Sequence, residues 1–339
     1  MRKQYEHLWA IILAGGDGVR MREYLRSQRN IDCPKQFANI IGKRSMLRHT
    51  IERVKRIIPI QRMRIVVNVQ HLKYVHAEIT KPERKSLIVL PCNRETAVGI
   101  LLPVIQILAQ DSSACITVFP SDHFVLEEQR FMNYVERAVD FVHRSPETVV
   151  LVGIPSKDAD TNYGWIEPSS MYLCYQGSRF YAVERFVEKP SAELVNVLHL
   201  KKSLWNSMVF AAQGETLLHL YRKTIPNVYR QMESMKQLIT SPGGIERLDG
   251  QFTRLPSYGF SKTILEPNTK RLRVLRAEGV SWSDWGNQSR VTSDLSKMSF
   301  ESVSEVQHSP RFCMEANTIK EESYSRKERV LSSSLLVCS

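Results

Sequence analysis

No apolar run in this chain approaches the roughly 20 residues that a membrane-spanning helix needs. The first residues, Met1-Arg2-Lys3-Gln4-Tyr5-Glu6-His7, lack the apolar core of a secretion signal, so a cytoplasmic location and no membrane partner are expected. Cysteine is sparse and scattered, at Cys33, Cys92, Cys115, Cys174, Cys313 and Cys338. None forms a CxxC pair or has histidine at zinc-ligand spacing, which argues for reduced thiols; Cys115, inside an apolar run, reads as core. No RNP pattern, zinc finger or heptad-linked basic helix is present, so no nucleic-acid partner is expected. The Walker and G-x-G-x-x-G phosphate patterns are missing as well. No internal repeat is visible.

What remains is a soluble-type composition, 42% hydrophobic and 24% charged, with a net charge of +12 from 47 basic and 35 acidic residues. That excess favours an anionic partner, although a solvated basic face is the plainer reading. It is dense near the start, in Arg20, Arg22, Arg26, Arg29, Lys35, Lys43, Arg44 and Arg48. There the run Leu8 to Leu13 meets Ala14-Gly15-Gly16-Asp17-Gly18-Val19-Arg20, and Cys33-Pro34-Lys35-Gln36-Phe37 follows. A strand that stops at such a turn offers backbone N–H groups to phosphate oxygens, with Arg20 and Lys35 adding fixed positive charge. The same run also fits a plain strand-to-helix turn.

Apolar spacing predicts strands at Trp9 to Leu13, Arg64 to Val69, Ser86 to Leu90, Ala114 to Phe119 and Thr148 to Gly153. Helical patterns fall between them, at Ser45 to Ile58, Thr96 to Ala109 and Glu127 to Val142. Strands alternating with helices imply an α/β fold with a mainly parallel, Rossmann-like sheet flanked by helices. The second half reads as a smaller α+β portion closing over one sheet edge. Its strands are Tyr163 to Glu167, Phe180 to Glu188, Leu204 to Ala212 and Arg271 to Arg276. Its helices are Ala192 to Leu200, Gly214 to Lys223, Val228 to Ile239 and a stretch closing at Thr263 to Glu266. A first domain over 1–290 is expected, with a serine-rich, weakly ordered tail over 291–339.

Four more segments, in chain order, sharpen this reading: Pro120-Ser121-Asp122-His123, Phe186-Val187-Glu188-Lys189-Pro190, Leu204-Trp205-Asn206-Ser207 and Trp282-Ser283-Asp284-Trp285-Gly286. Together with the glycine-rich turn and Pro34 to Phe37 they resemble the sugar-phosphate nucleotidyltransferases, from about residue 8 to about residue 290. The likeness is nearest to members that use GTP and mannose 1-phosphate. It implies the nucleotide-diphospho-sugar transferase fold, Mg²⁺ as cofactor and, compatibly with the family, a homodimer. By the same resemblance Leu13, Ala14, Gly15, Gly16, Gly18, Arg20, Lys35, Arg94 and Asp122 would meet the nucleotide. Gly164, Glu167, Glu188, Lys189 and Asn206 would meet the sugar phosphate, and Asp122 and Asp284 the metal. Arg20, Lys35, Asp122, Lys189 and Asp284 would carry the reaction. Taken singly, Asp122 also reads as a helix N-cap, Asp284 as a turn former, and Glu188–Lys189 as a surface ion pair.

Four departures stand out. Met208 occupies the glycine of the family's WNSGxF segment, and Glu95 the Asn of its GRNTA segment, which Asn93-Arg94-Glu95-Thr96-Ala97 resembles. The stretch between Arg20 and Lys35 is longer than usual and lacks the LWPLSR wording. The region after Arg290 shows neither the β-helix nor the isomerase domain of some relatives, so only transferase activity is expected. Transfer to another sugar phosphate or from another base, and a non-catalytic sugar-nucleotide-binding regulator, are the alternatives.

Overall fold

The computed structural model describes residues 5–241 and 243–297. Its strands are β1 (Leu8–Leu13), β2 (Met63–Asn68), β3 (Leu87–Leu90), β4 (Cys115–Pro120), β5 (Phe124–Val125), β6 (Val149–Pro155), β7 (Gly164–Tyr175), β8 (Ser178–Glu188), β9 (Leu204–Gln213), β10 (Leu272–Arg276) and β11 (Trp282–Ser283). The helices are α1 (Val19–Arg29), α2 (Met46–Lys55), α3 (Leu72–Glu78), α4 (Glu95–Gln110), α5 (Glu128–Arg144), α6 (Ala192–Leu200), α7 (Gly214–Thr224), α8 (Pro226–Ser234), α9 (Lys236–Thr240), α10 (Asp249–Phe252) and α11 (Gln288–Lys297).

One nine-stranded sheet has the order β3-β2-β1-β4-β9-β6-β10-β8-β7, with β5 and β11 paired apart from it. Strands β1 to β4, β6, β7 and β10 run one way, and β8 and β9 the other. Alternation sends successive residues of β1 to opposite faces. Ala10 and Ile12 join one core, Trp9 and Ile11 the other. Helix α5 covers the first face through Phe131, Met132, Val135, Ala138 and Val139. Helix α4, buried almost all round, covers the second with α7 and α8. Each large apolar side chain removed from water there contributes about 1.5–3 kcal/mol.

The second half does not close over the first as a separate portion. Strand β9 inserts antiparallel between β4 and β6, so both halves share one sheet. Strand β7 also runs on to Tyr175, well past Glu167. Its hairpin turns at Gln176-Gly177, both with positive φ (46° and 73°), the backbone that a tight two-residue hairpin demands. Helix α1 escapes apolar spacing because only Met21 and Leu25 are buried on it. It fills the long stretch between Arg20 and Lys35. Helix α11 crosses residue 290, so helical backbone extends to Lys297; residues 298–339, with the rest of the expected tail, lie outside the described residues. Among the described residues no helix is long and apolar enough to cross a membrane.

Helix α2 is tied down by a buried charge network. Glu83 accepts from Arg48 (2.8 and 2.9 Å) and from the Thr80 N–H (2.8 Å), and pairs with Lys55 at 2.9 Å. Burial alone would raise the Glu83 carboxyl; the bonds from Arg48, Lys55 and Thr80 instead hold it well below the usual carboxylate range.

Candidate active site at the carboxyl edge of the sheet

The glycine-rich turn leaves the end of β1 and is anchored from behind. Ala14 N–H donates to the Val66 carbonyl (2.8 Å), and Ser121 donates to the Leu13 carbonyl through N–H (3.0 Å) and hydroxyl (2.7 Å). The buried Gln36 amide donates to the Ala14 and Gly16 carbonyls (2.9 and 2.7 Å), and Asn68 to the Gly15 carbonyl (2.5 Å). In a trans peptide the carbonyl and the following N–H point opposite ways. With those three carbonyls tied back, the N–H groups of Gly15 and Asp17 aim away from Gln36, and that of Gly16 away from Asn68. Gly18 has φ 61°, and a Cβ there would lie 3.0 Å from the Lys35 backbone nitrogen, so glycine alone fits without strain.

Lys35 lies under this turn, only 5% exposed. Its ammonium is 2.9 Å from Asp122 Oδ2 and donates to the Asp284 carbonyl and, at 3.4 Å, to the Trp285 carbonyl. Residues 35, 122 and 284 thus converge on one cation. Asp122 follows β4 at the sheet edge where open α/β folds bind ligands. It is not the N-cap of α5, a position held by Glu127. Burial would raise the Asp122 carboxyl, but Lys35 and then His123 pull it below its ordinary value. His123, 3.7 Å from Asp122 Oδ1, stacks edge-on to Trp282, and burial lowers its pKa. The Asp284 carboxylate accepts from Gly286 N–H (3.0 Å), as a turn former does, and also pairs with Arg290. A cavity of about 620 Å³ opens behind His123 between Met46, Arg53 and Glu128; it adjoins the acidic centre without containing it.

The sugar-side residues divide. Strand β9 pairs with β4 only from Phe210 onward; its first residues take β7 instead, with Trp165 opposite Trp205. The start of β7 therefore lies just past the end of β4, beside Asp122. Gly164 pairs with Glu188 across β7 and β8, and a Cβ on Gly164 would lie 2.6 Å from Glu188 Oε2 and 3.2 Å from Asn206 Cβ. Gly164, Glu188 and Asn206 thus form one cluster. Asn206 donates to Ser261 Oγ (3.1 Å), which in turn meets Met208 Sδ (3.2 Å). Burial raises the Glu188 carboxyl. Lys189 is exposed at the rim, with φ 51° and its N–H on the Tyr163 carbonyl (3.2 Å).

Glu167 stands apart from this cluster. It lies an odd number of residues from Gly164, hence on the opposite sheet face, where Lys201 (2.5 Å) and Arg185 (3.6 Å) hold it. Arg94 points its guanidinium at the Thr253 carbonyl, and Arg20 is exposed on the first turn of α1; neither joins the Lys35 cluster.

Several neighbours escaped the sequence reading. Asp17 accepts from Gln70 (2.6 Å) and Asn93 (3.1 Å), which closes the far side of the turn. Arg290 and Asp160 have no motif of their own. Gln36 lay inside a segment already singled out, next to Lys35.

The profile of the family described as "Nucleotidyl transferase" matches residues 9–293. The chain belongs to the nucleotidyl transferase family. Mannose-1-phosphate guanylyltransferase 2 of Escherichia coli O157:H7 is 27% identical over 288 residues, 82% of this chain and 58% of its own length. Mannose-1-phosphate guanylyltransferase RfbM of Salmonella typhimurium strain LT2 is 27% identical over 83% of this chain and 57% of its own length. The chain thus spans under three fifths of these curated relatives. The crystal structure described as mannose-1-phosphate geranyltransferase from Thermus thermophilus superposes with TM-score 0.69 at 26% identity, over 85% of this chain and 79% of that one. For a nucleotidyl transferase, the two motif departures fall on telling backbone. Met208 has φ 62° and Glu95 φ 58°, a left-handed region that glycine and asparagine enter more readily than Met or Glu.

Proposed function

We propose that the chain transfers GMP from GTP to mannose 1-phosphate, giving GDP-mannose and pyrophosphate. The convergence of Lys35, Asp122 and Asp284 beneath the glycine-rich turn, next to Gly164, Glu188 and Asn206, carries this reading. The outward N–H groups of Gly15, Gly16 and Asp17 would receive triphosphate oxygens. Lys35 would neutralise charge between the reactants, and Arg20 and Lys189 would approach from the rim. Glu188 and Asn206 would take sugar hydroxyls, with Gly164 allowing close approach. An oxygen of the sugar phosphate attacks the α-phosphorus and forms the new P–O bond. The bond to the β-bridging oxygen breaks, and pyrophosphate leaves with its electron pair. The nucleophile is already an anion, so no general base is needed.

Mg²⁺ would be held by the Asp122 carboxylate together with substrate phosphates, since Mg²⁺ commonly uses one or two carboxylates plus phosphate oxygens. Asp284 meets the Lys35 ammonium through its backbone carbonyl while its carboxylate is held by Arg290 and Gly286 N–H, and among the described residues no three His, Cys, Asp or Glu side chains cluster as a ready-made metal site. Bound beside Asp122, Mg²⁺ would offset triphosphate charge. Pyrophosphate release, read through coupled pyrophosphatase across four nucleoside triphosphates and several hexose 1-phosphates, tests the assignment. GTP with mannose 1-phosphate should be turned over fastest. No turnover with any pair would reject it and favour a non-catalytic binder.

Met208 supports a second reading, in which another sugar 1-phosphate is preferred, because its side chain adjoins the Asn206–Ser261 pair. Met208→Gly should change stability by less than about 1 kcal/mol, since relief of about 1–2 kcal/mol of left-handed strain is offset by added unfolded-chain entropy and lost packing. The KM for mannose 1-phosphate should fall by roughly threefold to tenfold, a gain of about 0.7–1.4 kcal/mol. An unchanged KM would remove Met208 from the sugar pocket.

A further inference from the structure

Arg290, on the first turns of α11, joins three segments far apart in sequence. One guanidinium nitrogen pairs with Asp284 Oδ1 and the other with Asp160 Oδ2. The guanidinium carbon stands 4.1 Å from the centre of the Tyr163 ring, which stacks on Trp205 at 4.5 Å. The side chain is only 14% exposed. Each contact leads to a different part of the site. The Asp284 carbonyl accepts from Lys35. Tyr163 precedes Gly164, and its carbonyl accepts from Lys189 N–H. Asp160 is fixed by Asn162, through backbone and side-chain donors at 2.8 Å, and its own carbonyl accepts from Trp165 Nε1 at 2.9 Å. Helix α11 is itself held back to the 284–287 turn, through Arg290 N–H on Asn287 Oδ1 (3.0 Å) and Trp285 Nε1 on Asp294 (3.0 Å).

We propose that Arg290 is a positioning residue for nucleotidyl transfer: its fork sets the spacing between the Lys35–Asp122–Asp284 side and the Gly164–Lys189 side. This rests on the function proposed above. A planar guanidinium serves the role because it pairs in two directions while its face lies on a ring; a lysine ammonium is a point charge and cannot hold both carboxylates in one plane. In-line transfer depends on the separation of the two anions, and a displacement of about 1 Å is enough to cost about a hundredfold in rate.

The test compares wild type, Arg290→Ala and Arg290→Lys in the pyrophosphate assay, with melting curves for each. Arg290→Ala should lose about a hundredfold in kcat, with both KM values nearly unchanged. Millimolar guanidinium should restore at least a tenth of the lost kcat, and methylammonium should not. Arg290→Lys should keep the melting temperature closer to wild type yet remain slow. A wild-type kcat in Arg290→Ala would overturn the inference alone. So would a loss that guanidinium leaves untouched and that follows the melting temperature. A wild-type chain without turnover would overturn the function and this role together.

Discussion

Asp122→Asn should lower kcat by about 10²–10³-fold while the protein stays folded. The substitution keeps the shape of the side chain and removes only its charge. Lys35 can still donate to the amide oxygen that replaces the carboxylate, and it retains the Asp284 and Trp285 carbonyls. The stability cost should therefore be about 1–3 kcal/mol, the scale of one charge-assisted hydrogen bond. Its pH dependence has a definite sign. The Asp122 carboxyl sits below its ordinary value in the folded chain, because Lys35 and His123 outweigh the effect of burial. Its ion pair is fully stabilising above the unfolded value of about 3.9, and that contribution is lost as pH falls through the folded value. The gap in stability between wild type and variant should be constant near neutrality and shrink below about pH 4. Kinetics with thermal melts at several pH values would check both parts. Near-normal turnover in the variant would strip Asp122 of any role in the reaction.

Lys35→Met should reduce kcat/KM by a similar factor, about 10²–10³. Methionine has comparable length and suits a site where the lysine is 5% exposed, so packing under Gly18 should persist. What disappears is the cation shared by Asp122 and the Asp284 carbonyl. Breaking a fully buried pair costs about 3–5 kcal/mol; here the Asp122 side chain is 37% exposed, so about 1–2 kcal/mol is expected. Arginine is no safe replacement, because its planar fork is larger than the ammonium that Asp122 and the Asp284 and Trp285 carbonyls enclose. If the two residues act as one unit, the double variant should be little slower than either single one. Losses that multiply instead would mean independent roles.

The sequence carried the strand pattern well because the inner strands are buried on both faces and read as apolar runs. It carried the edge positions too, since Asp122 and the glycine-rich turn each follow such a run. Glu167 shares a sequence segment with Gly164, yet the odd spacing between them sends the two to opposite faces, which a segment taken as one unit does not show. Helix α1 was hidden because its sequence offers the core only Met21 and Leu25. Arg290 was invisible for another reason. Its partner Asp160 lies 130 residues away, and only the fold brings them together. Met208 and Glu95 were legible as departures but not as strained positions; backbone dihedrals supply that second fact.

The most direct measurement follows the α-phosphate itself. GTP labelled at the α-phosphorus, mixed with mannose 1-phosphate and excess protein for a single turnover, should deliver its label to GDP-mannose and release unlabelled pyrophosphate. Label recovered as free GMP, or left in GTP throughout, would contradict the transfer on which this account is built.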